Sequence, residues 1–273
     1  MKPTITAVAG LLLGLTLSAV PGQAQSTART PHVTVSLIPE QLDLAPGAAT
    51  RLAIRFEIEP GWHLYFAYPG QSGVGTRFVW QLAGGGSVDS LEWPVPERLV
   101  TEGLVTQVYQ GDFTVATRVH AGSTGQATHL SVAVSWGICR TQCVTDDALL
   151  RLTLLAGATR PNPEWASVAP ALKHLSRTIP GLTASAVRQG SGLSLILRPA
   201  KALPPGAHRL TFYPLDGTVV DTCVVAVPRL SGGNAILALG PAAPNATRLR
   251  GLLAGWPTGD GPAGVVVDVA IGK

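Results

Sequence analysis

Thr50-Arg51-Leu52-Ala53-Ile54-Arg55-Phe56-Glu57-Ile58 is the stretch on which the fold class turns. Leu52, Ile54, Phe56 and Ile58 share one parity. Arg51, Arg55 and Glu57 share the other. A period of two is the signature of a strand, and this one has an apolar face and a charged face. Such a strand lies in an antiparallel sheet with one side on a core and one side in water. The same alternation recurs in Val33/Val35/Leu37, Phe113/Val115/Thr117/Val119, Leu130/Val132/Val134/Trp136 and Leu150/Leu152/Leu154. Pro46-Gly47, Glu59-Pro60-Gly61, Gly84-Gly85-Gly86 and Gly122-Ser123-Thr124-Gly125 supply the turns between them. About seven short strands of this kind predict an immunoglobulin-like sandwich over residues 30–157.

Beyond it the pattern changes. Asn162-Pro163-Glu164 reads as a helix start, and Trp165, Val168, Leu172, Leu175 and Ile179 follow at helical spacing. This predicts a helical connector over 158–180, kinked or split at Pro170. A second strand-rich block is predicted over 181–273. Its candidate strands are Thr183–Val187, Leu193–Leu197, Arg209–Tyr213, Val219–Val227, Ala235–Leu239, Arg248–Leu253 and Val265–Ile271. Turns are expected at Asp216-Gly217, Gly232-Gly233-Asn234 and Gly259-Asp260-Gly261. The fold class expected is therefore mainly β, two sandwich domains joined by a short helical connector.

Composition agrees. Of 273 residues, 13% are charged and 46% hydrophobic, with 31 Gly and 22 Pro, which excludes disorder through lack of core residues. The formal charge of +4 is spread out, and no Lys/Arg cluster supports nucleic-acid binding. Lys2, the apolar run from Ile5 to Val20 and the small-residue end at Ala24 read as a secretory signal over residues 1–24. The run is shorter than the ~20 residues a membrane span needs. The expectation is an exported chain, with no membrane span after cleavage, in a compartment where disulfides persist.

The sharpest local signal is Trp136-Gly137-Ile138-Cys139-Arg140-Thr141-Gln142-Cys143. Four residue steps along a strand would separate the cysteines by ~13 Å. A disulfide needs their Cα atoms about 4.4–6.8 Å apart. If they are bridged, the chain must therefore fold back after Trp136. Three readings compete. A redox pair on a tight loop would be open to another protein's thiol, and Arg140 would favour a thiolate beside it. A structural staple closing so small a loop would contribute only ~2 kcal/mol. Metal ligation needs ligands from elsewhere, because no histidine flanks the pair. Cys223, in Asp221-Thr222-Cys223-Val224-Val225, alternates with Val225 and Val227 and reads as a buried bystander. The six histidines form no spaced metal motif, and His63 is singled out only by its aromatic surroundings. No cofactor-binding fingerprint is present, so no cofactor is expected.

Several segments together resemble one family. They are Pro60-Gly61-Trp62-His63-Leu64-Tyr65-Phe66-Ala67-Tyr68-Pro69-Gly70-Gln71-Ser72-Gly73, Trp93-Pro94-Val95-Pro96-Glu97-Arg98, Tyr109-Gln110-Gly111 and the Trp136–Cys143 motif. In the second block, Phe212-Tyr213-Pro214-Leu215-Asp216-Gly217 and Leu249-Arg250-Gly251-Leu252-Leu253 join them. The chain resembles the N-terminal periplasmic region of DsbD-type thiol:disulfide interchange proteins, in the variant found in ScsB-like reductases. The resemblance implies an immunoglobulin-like fold in which Cys139 and Cys143 exchange disulfides. It implies a shield over the pair drawn from the 62–73 segment, with His63, Tyr65, Phe66 and Tyr68 as candidates and Trp136 and Arg140 in support. It also implies a periplasmic location and thioredoxin-like partners. The family's full reductases continue into a membrane domain and a Cys-x-x-Cys domain, so a membrane electron-transfer protein is expected in trans. The alternative is a non-catalytic periplasmic module, serving copper tolerance or protein assembly, that keeps a structural disulfide.

Overall fold

The computed structural model describes residues 25–200, 209–217, 219–220, 223–256 and 264–272. The signal-peptide reading of residues 1–24 and the predicted 259–261 turn lie outside them. The first block contains β1 (Thr27–Arg29), β2 (Val33–Pro39), β3 (Gln41–Leu44), β4 (Ala49–Ile58), β5 (His63–Gly70), β6 (Arg77–Ala83) and β7 (Ser87–Val88). It continues with β8 (Glu97–Thr101), β9 (Leu104–Gln110), β10 (Phe113–His120), β11 (Thr128–Cys139), β12 (Cys143–Ala156) and β13 (Arg160–Pro161). The second holds β14 (Leu182–Gln189), β15 (Gly192–Pro199), β16 (Leu210–Pro214), β17 (Val224–Ala226), β18 (Arg229–Ser231), β19 (Asn234–Pro241), β20 (Arg248–Ala254) and β21 (Val265–Gly272). The chain is mainly β, as the alternation predicts.

In the first block one sheet runs β1-β2-β4-β10-β7 and the other β13-β3-β12-β11-β5-β9-β8, with β6 also on β11. Their inner faces are the apolar parities read from the sequence. Leu52, Ile54 and Phe56 of β4 meet Leu130, Val132, Val134 and Trp136 of β11 in one core. Phe56 is its hub: it stacks on Phe113 at 4.6 Å and meets the edge of Trp136 at 6.1 Å. Large aromatic side chains dominate such cores, and truncating one to Ala costs ~3–5 kcal/mol. Strand β11 is divided along its edge. Residues 129–135 pair with β6, and Ile138 and Cys139 pair with β5.

The second block is one sheet of eight strands, β17-β16-β20-β21-β14-β15-β19-β18, whose halves join through a parallel β14–β21 pair. It encloses Leu195, Leu197, Phe212, Leu237, Leu249, Leu253 and Val265.

Two expectations fail here. The 158–180 segment is no helix but two short 3₁₀ turns, Pro163–Ser167 and Ala171–His174. Asn162 does cap the first, its Oδ1 accepting from Glu164 N at 3.1 Å. Pro170, without an N–H, ends any continuation. The apolar residues that suggested one helical face go to separate cores. Trp165, Val168 and Leu172 cover Ile38 and Ala53 on the outside of the first sheet, while Ile179 packs into the second block. Of the predicted Val219–Val227 strand, Val224–Ala226 is the part that is strand among the described residues, residues 221–222 lying outside them. Cys223 precedes it and is buried, whereas Val225 and Val227 are exposed, so the three do not share a face.

Ser176 and Arg177 stitch the blocks together. Ser176 N donates to Trp93 O at 2.9 Å, and Arg177 N donates to Gly264 O at 2.9 Å. Tyr213, Cys223 and Leu252 of the second block are part of the first block's core.

Candidate functional site

Strands β11 and β12 form a long hairpin whose last register pair is Cys139 with Cys143. The three-residue loop Arg140-Thr141-Gln142 closes it, with Arg140 N donating to Gln142 O at 3.1 Å. The Cα atoms stand 4.1 Å apart and the two sulfurs are bonded. The chain thus folds back as the spacing demands, one residue step after Cys139. Strand parity puts the pair on the outer face of the sheet, since Trp136 and Ile138 point into the core.

The two sulfurs have different surroundings. Cys143 is exposed. Cys139 is 3% exposed and packs with Tyr65, Val108 and Leu99. Tyr65 Oη lies 3.2 Å from Cys139 Sγ. A disulfide sulfur carries no hydrogen, so the phenol donates. Burial pushes the Tyr65 hydroxyl above its usual range, so it keeps that proton. His63, opposite Cys139 across the β5–β11 ladder, meets the edge of Tyr65 at 5.5 Å. Burial holds its imidazole below the ordinary 6.5, so it is neutral at pH 7.

A loop covers Tyr65 from outside. Gln71 N donates to Val105 O and Val105 N to Gln71 Oε1, at 3.0 and 2.8 Å. Gly137 N donates to Val74 O at 2.9 Å, and Thr76 Oγ1 to Tyr65 O at 2.6 Å. Gly73 lies against the phenol ring, where any Cβ would overlap it. Arg140 holds its guanidinium 5.4 Å from the centre of the Trp62 ring, and His32 stacks on Trp62 at 3.9 Å. Beside them a cleft of about 1000 Å³ opens, lined by His32, Glu59, Trp62, Gln110 and Asp112 among others.

The candidate residues therefore divide. Cys139, Cys143, His63, Tyr65 and Arg140 come together. Trp136 and Phe66 are fully buried in the sandwich core, on the other face of the sheet. Tyr68 reaches the second block, its ring against Gly217. Gly73 ends the 62–73 segment named for the shield, whereas Val108, Leu99 and Val74 carry no sequence signal of their own. Among the described residues, no group of three or more His, Cys, Asp or Glu could hold a metal ion.

The family model for the N-terminal part of the thiol:disulfide interchange protein DsbD matches residues 35–154. A search of curated protein sequences finds no match. Among solved structures, the N-terminal periplasmic domain of ScsB from Proteus mirabilis matches with a TM-score of 0.58 at 17% identity, over 91% of this chain and 98% of that one. That likeness is one of fold, and it extends over both blocks. The DsbD N-terminal domain of Neisseria meningitidis, in its reduced form, matches 46% of this chain and 90% of its own at 17% identity, with a TM-score of 0.28. The family match covers the very strands that carry the disulfide hairpin, so residues 35–154 are similar to the DsbD N-terminal domain, and the ScsB likeness adds the fold.

Proposed function

We propose that this chain is a periplasmic thiol–disulfide exchange protein, in which Cys139 and Cys143 accept two electrons from one partner and pass them to another. The observation that carries this reading is the asymmetry of the two sulfurs. Cys143 is an exposed residue at a hairpin end, and Cys139 is buried with its sulfur against a phenol that donates to it. Exchange needs an accessible sulfur to attack and a stabilised leaving thiolate, and this arrangement supplies both.

A partner thiolate attacks Cys143 Sγ. The Cys139–Cys143 bond breaks and its electron pair leaves on Cys139 Sγ, toward which the Tyr65 O–H already points. The partner's second thiolate then attacks its own sulfur in the mixed disulfide and releases Cys143. The partner departs oxidised, and two protons from solvent balance the two electrons held here. In the reverse direction the Cys143 thiolate attacks a substrate disulfide and Cys139 resolves it. The cleft lined by Trp62, whose ring the Arg140 guanidinium faces, gives a partner loop room. The family's dealings with thioredoxin-like proteins support partners of that kind, with a membrane electron-transfer protein as the source. In this reading residues 30–157 are the redox domain and residues 181–273 a second sandwich domain. Among the described residues, no helix is long and apolar enough to cross a membrane.

The test is trapping. Cys139→Ser leaves the exposed sulfur without its resolving partner, and it should accumulate a mixed disulfide with a thioredoxin-like protein. Cys143→Ser should not. Absence of any adduct in both variants, with stability reduced in each, would assign the bridge a purely structural role.

A further inference from the structure

The outer face that carries the disulfide does not end with it. Odd-numbered residues of β12 and β11 and of β6 share that face. Row by row from the hairpin end, Gly137 pairs with Thr145, and then Arg77, Ser135 and Asp147 lie side by side. Next come Val79, Ala133 and Leu149. This third row is apolar and bare: Val79 is 62% exposed and Leu149 43%. Val74, 47% exposed, sits directly on Gly137, between the disulfide and that row. Even-numbered neighbours such as Ala148 and Leu150 are buried in the core, so the exposure of the odd row is not a frayed edge.

We propose that this face is the docking surface for the dithiol protein that exchanges with Cys143, and that the Val79–Ala133–Leu149 row is its apolar anchor. The proposal rests on the exchange function argued above. Its basis is continuity. Cys143 and Leu149 stand on one face of one strand, six residues or ~20 Å apart. A standard interface covers ~800 Å² per partner, a disc ~32 Å across, and so spans both. Apolar contact at the middle and a polar rim is the usual anatomy. Here the polar Arg77–Ser135–Asp147 row lies between the anchor and Cys143, and Gln81–Ser131–Arg151 supplies the rim on the far side. The occupant is therefore a folded protein presenting an apolar surface beside its reactive cysteine. A small thiol meets only the sulfur.

The experiment compares the wild-type protein with a Val79→Glu/Leu149→Glu variant and a milder Val79→Thr/Leu149→Thr variant, the Thr pair keeping strand preference. Reduction of the Cys139–Cys143 bond is followed with reduced thioredoxin as the protein probe and with dithiothreitol as the small one. The expected result is a thioredoxin rate constant about tenfold lower in the Glu variant, an intermediate fall in the Thr variant and unchanged dithiothreitol rates. Equal thioredoxin rates in all three proteins overturn the proposal. So does an equal slowing with both reductants, which would place the effect on the disulfide itself. A wild-type dimer that the Glu pair dissociates also overturns it, since the row would then face a second copy. If wild type fails to react with thioredoxin while dithiothreitol reduces it, the exchange function falls, and the docking face with it.

Discussion

Tyr65 stands between the sulfur that must leave and the loop that shelters it. Its hydroxyl donates to Cys139 Sγ, and its ring is pressed by Gly73. A hydrogen bond to a charged group contributes ~1.5–3 kcal/mol. Tyr65→Phe should therefore raise the Cys139 thiol pKa by about one unit, since one unit is ~1.4 kcal/mol. Thiolate absorbance against pH measures it, and an unmoved titration would show that the phenol plays no part in stabilising the leaving sulfur. His63 makes a second prediction, on stability. Its folded pKa lies below the unfolded value, so below about pH 6.5 the unfolded chain binds more protons. That contribution is intact above pH 6.5 and is lost as pH falls through the folded pKa. Urea melts from pH 7 to 5 should show stability declining, and His63→Gln should flatten the decline.

At the scale of elements, the hairpin β11–β12 is held by a continuous ladder from Thr128–Leu154 to Cys139–Cys143 and by the core residues behind it. The disulfide closes only the last loop. Cys139→Ser/Cys143→Ser should cost ~2 kcal/mol, the loop-entropy value for about five closed residues, and leave the fold intact. Unfolding of that variant would make the bridge a staple. How much of this the sequence discloses depends on whether one face of a strand meets water. In β12 it does, and Leu150/Leu152/Leu154 alternate cleanly; in β4 the connector covers Ala53 on the outer face, but Arg51, Arg55 and Glu57 stay part-exposed there and Leu52/Ile54/Phe56 still alternate with them. In β5, Leu64, Tyr65 and Phe66 are all buried, because the 71–76 loop covers the outer side as the core covers the inner, so no alternation survives. In β6 the alternation is blurred by Val79, apolar yet exposed. Spacing alone discloses that Cys139 and Cys143 can bridge only if the chain folds back between them. The companionship of Tyr65 and His63 is reached only through the family resemblance of the 62–73 segment, because it depends on the register of β5 against β11, which no local pattern encodes. The connector misled for a related reason. Residues spaced like one helical face serve separate cores, and spacing cannot tell these apart.

Across the whole molecule, the two blocks share a core where one would expect a linker. Tyr213, Cys223 and Leu252 are buried in the first block's cluster beside Tyr109. Burial, reinforced by Cys223, pushes the Tyr213 hydroxyl up to about 12, which fits a phenol withdrawn from water at the junction. Ser176 and Arg177 add backbone bonds to each side. Interfaces between independent domains are more polar and permit relative motion. This one buries aromatic and aliphatic side chains, so the blocks should unfold together. Heating should give one calorimetric transition, with its enthalpy equal to the van't Hoff value. Leu252→Ala, a change of the kind that costs ~2–5 kcal/mol in a core, should lower the melting temperature seen by fluorescence as much as that seen by far-UV circular dichroism. Two separate transitions, with only the later one moved by Leu252→Ala, would show that the blocks are independent. A single coupled transition would mean that the second block sets the stability of the sandwich carrying the disulfide, fixing the β5–β9–β8 wall around Cys139 through Tyr109, which lies on the opposite face of that wall from Val108.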